Sequence, residues 1–285
     1  MHTLLGGMLW AVNDATEPGT MPVASSDDTV SAILGQGNRD HSPVRIAFLQ
    51  RSEGGKRVPG PLAQFVTTGD RRGIALYLLL IGKATTEPWD AALPAAVWAR
   101  ALGIPFPTSK TATSSVSKTW LRLEQRRLVK RSRWRRMAKV TLLREDGSGA
   151  PYTHPAREGG YFKLPHAFWL TGPATDQRWQ RVLSLAEIAM LLIASSHKPR
   201  FRLPFEYAPA WYGISADTAA RGLHGLESKG LLAVDRTFKL APLAPEGYTS
   251  ENLYTLLPPF AHRREAPPRR VAAVTELPEA VEWRG

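Results

Sequence analysis

Apolar positions fall into short runs whose period switches between helical and extended. Residues 74–81 are apolar throughout. Asp70 ahead of them has the chemistry of an N-cap and Gly82 is a stop, so the run predicts a buried helix. A second helix is expected from Pro94 through Val97 and Trp98 to Leu102, with Gly103 as its end. After a connection through Pro105 and Pro107, Val116, Trp120 and Leu123 recur at helical spacing and predict a third helix over 113–127. Residues 128–131 and 139–143 read as strands, the second because Val140 and Leu142 alternate with Lys139 and Thr141. Upstream, 26–34 reads as a weak helix ended by Gly35. Runs 44–49 and 58–66 read as extended around a turn at 53–56.

The same order returns further on. Residues 161–164 look extended. Ser184 and Glu187 form a capping box opening a helix with Leu185, Ile188, Ala189 and Leu192 inward. A short strand at 201–205 contains Pro204. Helices follow at 206–212, ending at Gly213, and at 216–229, ending at Gly230. Strands at 231–235 and 252–257 close the unit. The two third helices align: Trp120-Leu121-Arg122-Leu123-Glu124 faces Leu223-His224-Gly225-Leu226-Glu227, and Leu128-Val129 faces Leu231-Leu232. Two copies suggest duplication of one module. The expected division is a flexible acidic segment 1–44, a basic domain 45–146, a linker 147–160, a second domain 161–260 and a disordered tail 261–285.

Gly213-Ile214-Ser215-Ala216-Asp217-Thr218, then Arg221, Leu223, Leu226-Glu227 and Lys229-Gly230-Leu231-Leu232, resembles the helix-turn-helix and first wing strand of winged-helix DNA-binding domains. The first unit, with Ser114-Ser115-Val116-Ser117-Lys118-Thr119 in that place, is a weaker match. It departs in having Gln125-Arg126-Arg127 where the second has Ser228-Lys229-Gly230. The resemblance implies an α+β, mainly helical chain of two tandem winged-helix domains with flexible termini. Paired winged helices resemble plasmid and phage replication initiators and some repressors.

Charge changes this picture by its distribution. The formal net charge is +12, from 37 Lys and Arg against 25 Asp and Glu, which points to a polyanionic partner. Residues 1–44 carry −4, 45–146 carry +13 and 161–260 only +2. From Lys118 to Lys139, 22 residues hold ten cations and one acid, Glu124. A solvated face of mixed charge does not account for ten cations that nothing nearby neutralises.

That stretch predicts contact with double-stranded DNA. Thr113, Ser114, Ser115, Ser117, Lys118, Thr119, Arg122 and Arg126 would reach the major groove from the third helix. Lys130, Arg131, Arg133, Trp134, Arg135, Arg136 and Lys139 would form a wing on the minor groove or backbone. In the second unit Ser215, Asp217, Thr218, Arg221, His224, Arg236 and Lys239 are expected either to read DNA or to dock a protein. Ala219, Ala220, Gly222 and Gly225 would let another surface, such as a homodimer partner, approach closely.

Enzyme readings fall away for lack of motifs. The chain has no cysteine, so thiolate chemistry and disulfides are out. The seven histidines show no metal-ligand spacing, and Gly54-Gly55-Lys56-Arg57 lacks the frame of a phosphate loop. No apolar run approaches the ~18–20 residues of a membrane span, and the N-terminus lacks the cationic region of a signal peptide. The expectation is a cytoplasmic, nucleoid-associated DNA-binding protein without cofactor or catalytic site. A repressor-like transcriptional regulator leads, a plasmid or phage replication initiator follows, and a protein-docking factor is the third alternative.

Overall fold

In the computed structural model, which describes residues 23–37, 39–104, 109–135, 137–157, 160–170 and 178–261, the first element is helix α1 (Ser26–Leu34). Ser25 and Asp28 close a capping box at its start, and Val30, Ile33 and Leu34 are buried. The segment expected to be flexible through residue 44 is therefore built into the fold from this helix onward. Its three apolar residues at helical spacing supply the reason.

Strand β1 (His41–Arg45) runs into a single 3-10 turn at Ile46–Phe48. Strands β2 (Gln50–Glu53) and β3 (Lys56–Pro59) form a hairpin around Gly54 and Gly55, both left-handed. Residues 62–67, expected to be extended, instead form helix α2 (Leu62–Thr67). Pro61 presets its entry, and Leu62 and Phe65, three apart, are buried together on one helical face.

Helix α3 (Arg71–Lys83) begins at Asp70, whose carboxylate accepts from the Gly73 N–H at 2.9 Å. Every residue from Gly73 to Gly82 is buried. Strand β4 (Asp90–Ala92), helix α4 (Ala95–Ala101), helix α5 (Ser109–Gln125), strand β5 (Val129–Trp134) and strand β6 (Met137–Leu142) follow. The three strands make one antiparallel sheet in the order β4-β6-β5. Helix α5 starts four residues earlier than the sequence predicts, and the hairpin reaches closer to its turn.

After a 3-10 turn at Pro155–Arg157 come strand β7 (Tyr161–Pro165), a 3-10 turn at His166–Phe168, and helices α6 (Trp179–Val182) and α7 (Leu185–Ser195). Helices α8 (Ala208–Tyr212) and α9 (Ala216–Ser228) and the long hairpin β8 (Leu232–Leu240) and β9 (Tyr248–Leu256) complete the described chain. The strand expected at 201–205 reduces to one bridge, Phe201 against Tyr254. Pro204 has no N–H for a ladder, and a 3-10 turn takes over at Phe205–Tyr207. The tail from residue 262 lies outside the described residues.

The internal repeat holds at the level of single hydrogen bonds. Arg127 and Gly230 both take left-handed φ values, 57° and 69°. Leu128 N–H donates to Leu123 O at 3.1 Å, and Leu231 N–H to Leu226 O at 2.9 Å. The Arg127-for-Gly230 departure in sequence is thus no departure in backbone. Each unit also begins with a strand and a 3-10 turn, and these two strands, β1 and β7, pair antiparallel with Pro43 opposite Lys163.

Beneath that pair Arg45 is held by Glu145 at 2.8 Å, both almost fully buried. Its Nη2 also donates to the carbonyl and hydroxyl of Thr153, at 2.5 and 2.6 Å. Part of the segment expected as a linker, 147–160, is in this way packed onto the first unit. Burial pushes the Glu145 carboxyl up to about 7 against the pull of Arg45. Apart from Leu253, the buried apolar side chains of both units form one continuous cluster among the described residues.

Candidate nucleic-acid interface

Helix α5 presents Thr111, Ser114, Ser117, Lys118, Leu121 and Gln125 outward, while Val116, Trp120 and Leu123 are buried. Trp120 meets Trp98 of α4 edge-on at 5.3 Å. The helix is thereby fixed by its apolar side with a hydroxyl-rich face in solvent.

Several expected contact residues are turned to other tasks. Thr119 is fully buried, and its hydroxyl donates to Ser115 O at 2.9 Å, so it is not available to a ligand. Asp70 binds two arginines. Arg122 approaches it side-on, Nη2 to Oδ1 at 2.8 Å and Nε to Oδ2 at 2.9 Å. Arg126 reaches Oδ2 at 2.5 Å and Thr68 Oγ1 at 2.9 Å. The Arg126 side chain is only 9% exposed and lies over the Phe65 ring at 4.2 Å, so it belongs to the fold. Burial raises the Asp70 pKa, but the hydrogen bonds from Arg122, Arg126 and Gly73 outweigh it and hold it at about 2.

The hairpin divides likewise. Arg131 is bound by Glu124, Nε to Oε2 at 2.7 Å, and its N–H donates to the same carboxylate. Lys139 pairs with Asp90 at 2.6 Å. The expectation that nothing nearby neutralises the ten cations is corrected: three carboxylates, Asp70, Glu124 and Asp90, take four of them.

Lys118, Arg127, Lys130, Arg133 and Arg135 remain, all exposed and without a carboxylate partner among the described residues. Lys130, Ser132 and Trp134 share one face of the ribbon, opposite Thr141, Lys139 and Met137. Arg133 shares the other face with Arg131, the side turned to α5. Trp134 is 45% exposed, with the Arg135 guanidinium 4.6 Å above its ring. Arg136 lies outside the described residues. Thr113 and Ser117 meet within α5, the Ser117 hydroxyl donating to Thr113 O at 3.0 Å. Sequence reasoning missed Arg72, which is exposed beside α5 and donates to Ser115 Oγ.

The second unit differs in charge. Ser215 caps α9, accepting from Thr218 N–H at 3.2 Å. Arg221 pairs with Asp217 at 3.1 Å, and His224 lies 3.8 Å from Glu227. The outward face of α9 is thus close to neutral. Lys239 is paired with Glu251 at 3.0 Å, while Arg236 is exposed on β8.

Gly222 and Gly225 do not open this helix to a partner: they face α7. A Cβ at Gly222 would lie 2.6 Å from Ala186 O, and one at Gly225 2.0 Å from Glu187 Oε1. Ala219 is fully buried as well. The distal hairpin, in contrast, exposes Phe238, Leu240, Leu243 and Tyr248.

A cavity lined in part by His41, His166 and His197 lies between the β1–β7 pair and the end of α7. Its imidazoles do not converge: His166 Nε2 faces Ser42 Oγ at 3.3 Å and His197 Nε2 faces the Tyr212 hydroxyl at 2.9 Å. Among the described residues no cluster of three side chains fits a metal ion, and no helix is long and apolar enough to cross a membrane. Comparison with known proteins adds no relative: no family model, curated protein or solved structure matches the chain.

Proposed function

We propose that the protein binds double-stranded DNA through its first unit and acts there by occupancy rather than catalysis. The observation that carries this reading is charge selection at one end of that unit. Its neighbouring carboxylates are engaged, while Lys118, Lys130, Arg133 and Arg135 stand exposed on α5 and the adjoining ribbon. The order helix, strand, two helices, hairpin, with the sheet ordered β4-β6-β5, supports assigning this unit to the winged-helix class. The repeat supports the same assignment for the second.

In this reading α5 enters the major groove and the Arg133–Arg135 tip lies on the backbone or in the minor groove. The biological role is transcriptional repression. Origin recognition by a plasmid or phage initiator uses the same contacts and differs in the site. Sequencing the DNA fragments recovered with the protein separates them: palindromes over promoters support repression, arrays of direct repeats support initiation, and fragments without enrichment oppose both.

A second reading, assembly through the second unit, is favoured by one observation. Phe238, Leu240 and Tyr248 share one exposed face of the β8–β9 ribbon, a surface more suited to protein than to phosphate. Such an apolar, sheet-edge face complements its own twin, so the occupant is a second copy of the chain. Sedimentation equilibrium tests it: Phe238→Ser with Leu240→Ser must shift a dimer to monomer, and a wild-type monomer at all concentrations refutes it.

A further inference from the structure

Arg71 and Arg72 are neighbours at the start of α3, yet their guanidinium groups turn to different parts of the molecule. Arg71 donates to the carbonyls of Gln180, Arg181 and Leu183, at 2.8, 2.6 and 2.9 Å, and closes the end of α6. Arg72 turns to α5, where it meets the hydroxyl of Ser115. No carboxylate among the described residues binds it. One hydroxyl leaves most of a five-donor guanidinium fork open.

Beside that fork, Thr111, Ser114, Ser115 and Lys118 line a shallow hollow on α5. The nearby carboxylate of Asp70 is already closed by Arg122 and Arg126. Lys118 and three hydroxyls therefore line one concavity, Arg72 reaches its rim at Ser115, and among the described residues no free carboxylate lines it. A phosphodiester matches this set: it carries one negative charge, and its two terminal oxygens accept from a guanidinium fork, an ammonium and hydroxyls together.

We propose that Arg72 and Lys118, with the hydroxyls of Thr111, Ser114 and Ser115, seat one backbone phosphate of the duplex. This rests on the DNA-binding reading above and deepens it. It adds a residue from α3 to the interface, and it assigns Ser114, Ser115 and Lys118 to the backbone rather than to base edges. A contact of that kind holds every sequence equally and fixes the register of α5 on the groove.

The test compares wild type, Arg72→Ala, Arg72→Lys and the double variant Arg133→Ala/Arg135→Ala. Fluorescence anisotropy follows binding to a mixed-sequence duplex across a salt series, with the thermal midpoint of each protein measured alongside. The expected result is that Arg72→Ala lowers the slope of log K against log salt by about one. Its midpoint should be unchanged, and Arg72→Lys should restore the slope.

If Arg72→Ala keeps the wild-type slope while the double variant loses part of it, the phosphate seat is overturned and the DNA reading stands. If Arg72→Ala lowers the midpoint and Arg72→Lys restores neither quantity, Arg72 serves the fold and the seat is again overturned. If wild type shows no salt-dependent binding, the DNA reading itself fails and the seat with it.

Discussion

The carboxylate of Asp70 holds the guanidinium of Arg122 at two points, Oδ1 to Nη2 at 2.8 Å and Oδ2 to Nε at 2.9 Å. The same carboxylate caps α3 and binds Arg126 from beneath. One acidic residue thus ties α5 to the start of α3, and decides which cations of the basic stretch stay free. Asp70→Asn keeps the capping oxygen but removes the charge, leaving the buried Arg126 uncompensated. The expected loss of stability is about 3 kcal/mol, read from denaturant unfolding. Asp70→Ala should cost about 1 kcal/mol more, because the cap goes too.

The same group makes stability depend on acid. In the folded protein Asp70 titrates at about 2, against 3.8 for its ordinary value. A depressed carboxylate contributes stability that is fully present above the unfolded value and lost as pH falls through the folded one. Most of the Asp70 contribution, roughly 2 kcal/mol, should disappear between pH 4 and pH 2, and the remainder below pH 2. Unfolding free energies of wild type and Asp70→Asn should converge over that interval. A constant difference from pH 6 to pH 2 would contradict the assignment.

Helix α9 tests the internal packing. A Cβ at Gly225 would sit 2.0 Å from Glu187 Oε1, which also binds Lys229 at 2.5 Å. At Gly222 the obstacle is backbone, Ala186 O at 2.6 Å. Gly222→Ala should therefore lower stability by about 1–3 kcal/mol. Gly225→Ala should cost less, because a side chain can move. Equal thermal midpoints for Gly222→Ala and wild type would show that α7 and α9 are not packed this closely.

Much of the first unit was legible from local pattern. The run at 74–81, the Pro94 start and the alternation at Val140 and Leu142 each determine an element through nearby residues. The repeat was legible because Leu226-Glu227 and Leu123-Glu124 stand at the same places in both helices. The site was less so. Asp70 is identifiable as a cap from its neighbours, but nothing in the sequence links it to Arg122 and Arg126, 52 and 56 residues on.

Only the tertiary approach of α3 and α5 creates that link. For the same reason Arg131 and Lys139 read as free cations. Gly222 and Gly225 read as an open surface because sequence reports the small side chain and not which helix covers it. Helix α2 was missed because Phe65, Val66 and Thr67 favour strands locally. Burial of Leu62 and Phe65 outweighs that preference.

Exposed Trp134 gives a further prediction. It is stacked with Arg135 rather than packed in the core, so Trp134→Ala should leave the thermal midpoint close to wild type. Its fluorescence should change when duplex is added. A large drop in midpoint would place the ring under the ribbon instead.

The salt dependence of duplex binding tests the proposed DNA interface most directly. With the five exposed cations of the interface, Arg72, Lys118, Lys130, Arg133 and Arg135, meeting the backbone, log K should fall against log salt with a slope of about −4 to −5. Arg133→Ala with Arg135→Ala should flatten that slope by about two while the protein stays folded. Binding indifferent to salt, or a slope unmoved by the double variant, would contradict the claim that this end of the molecule lies along DNA.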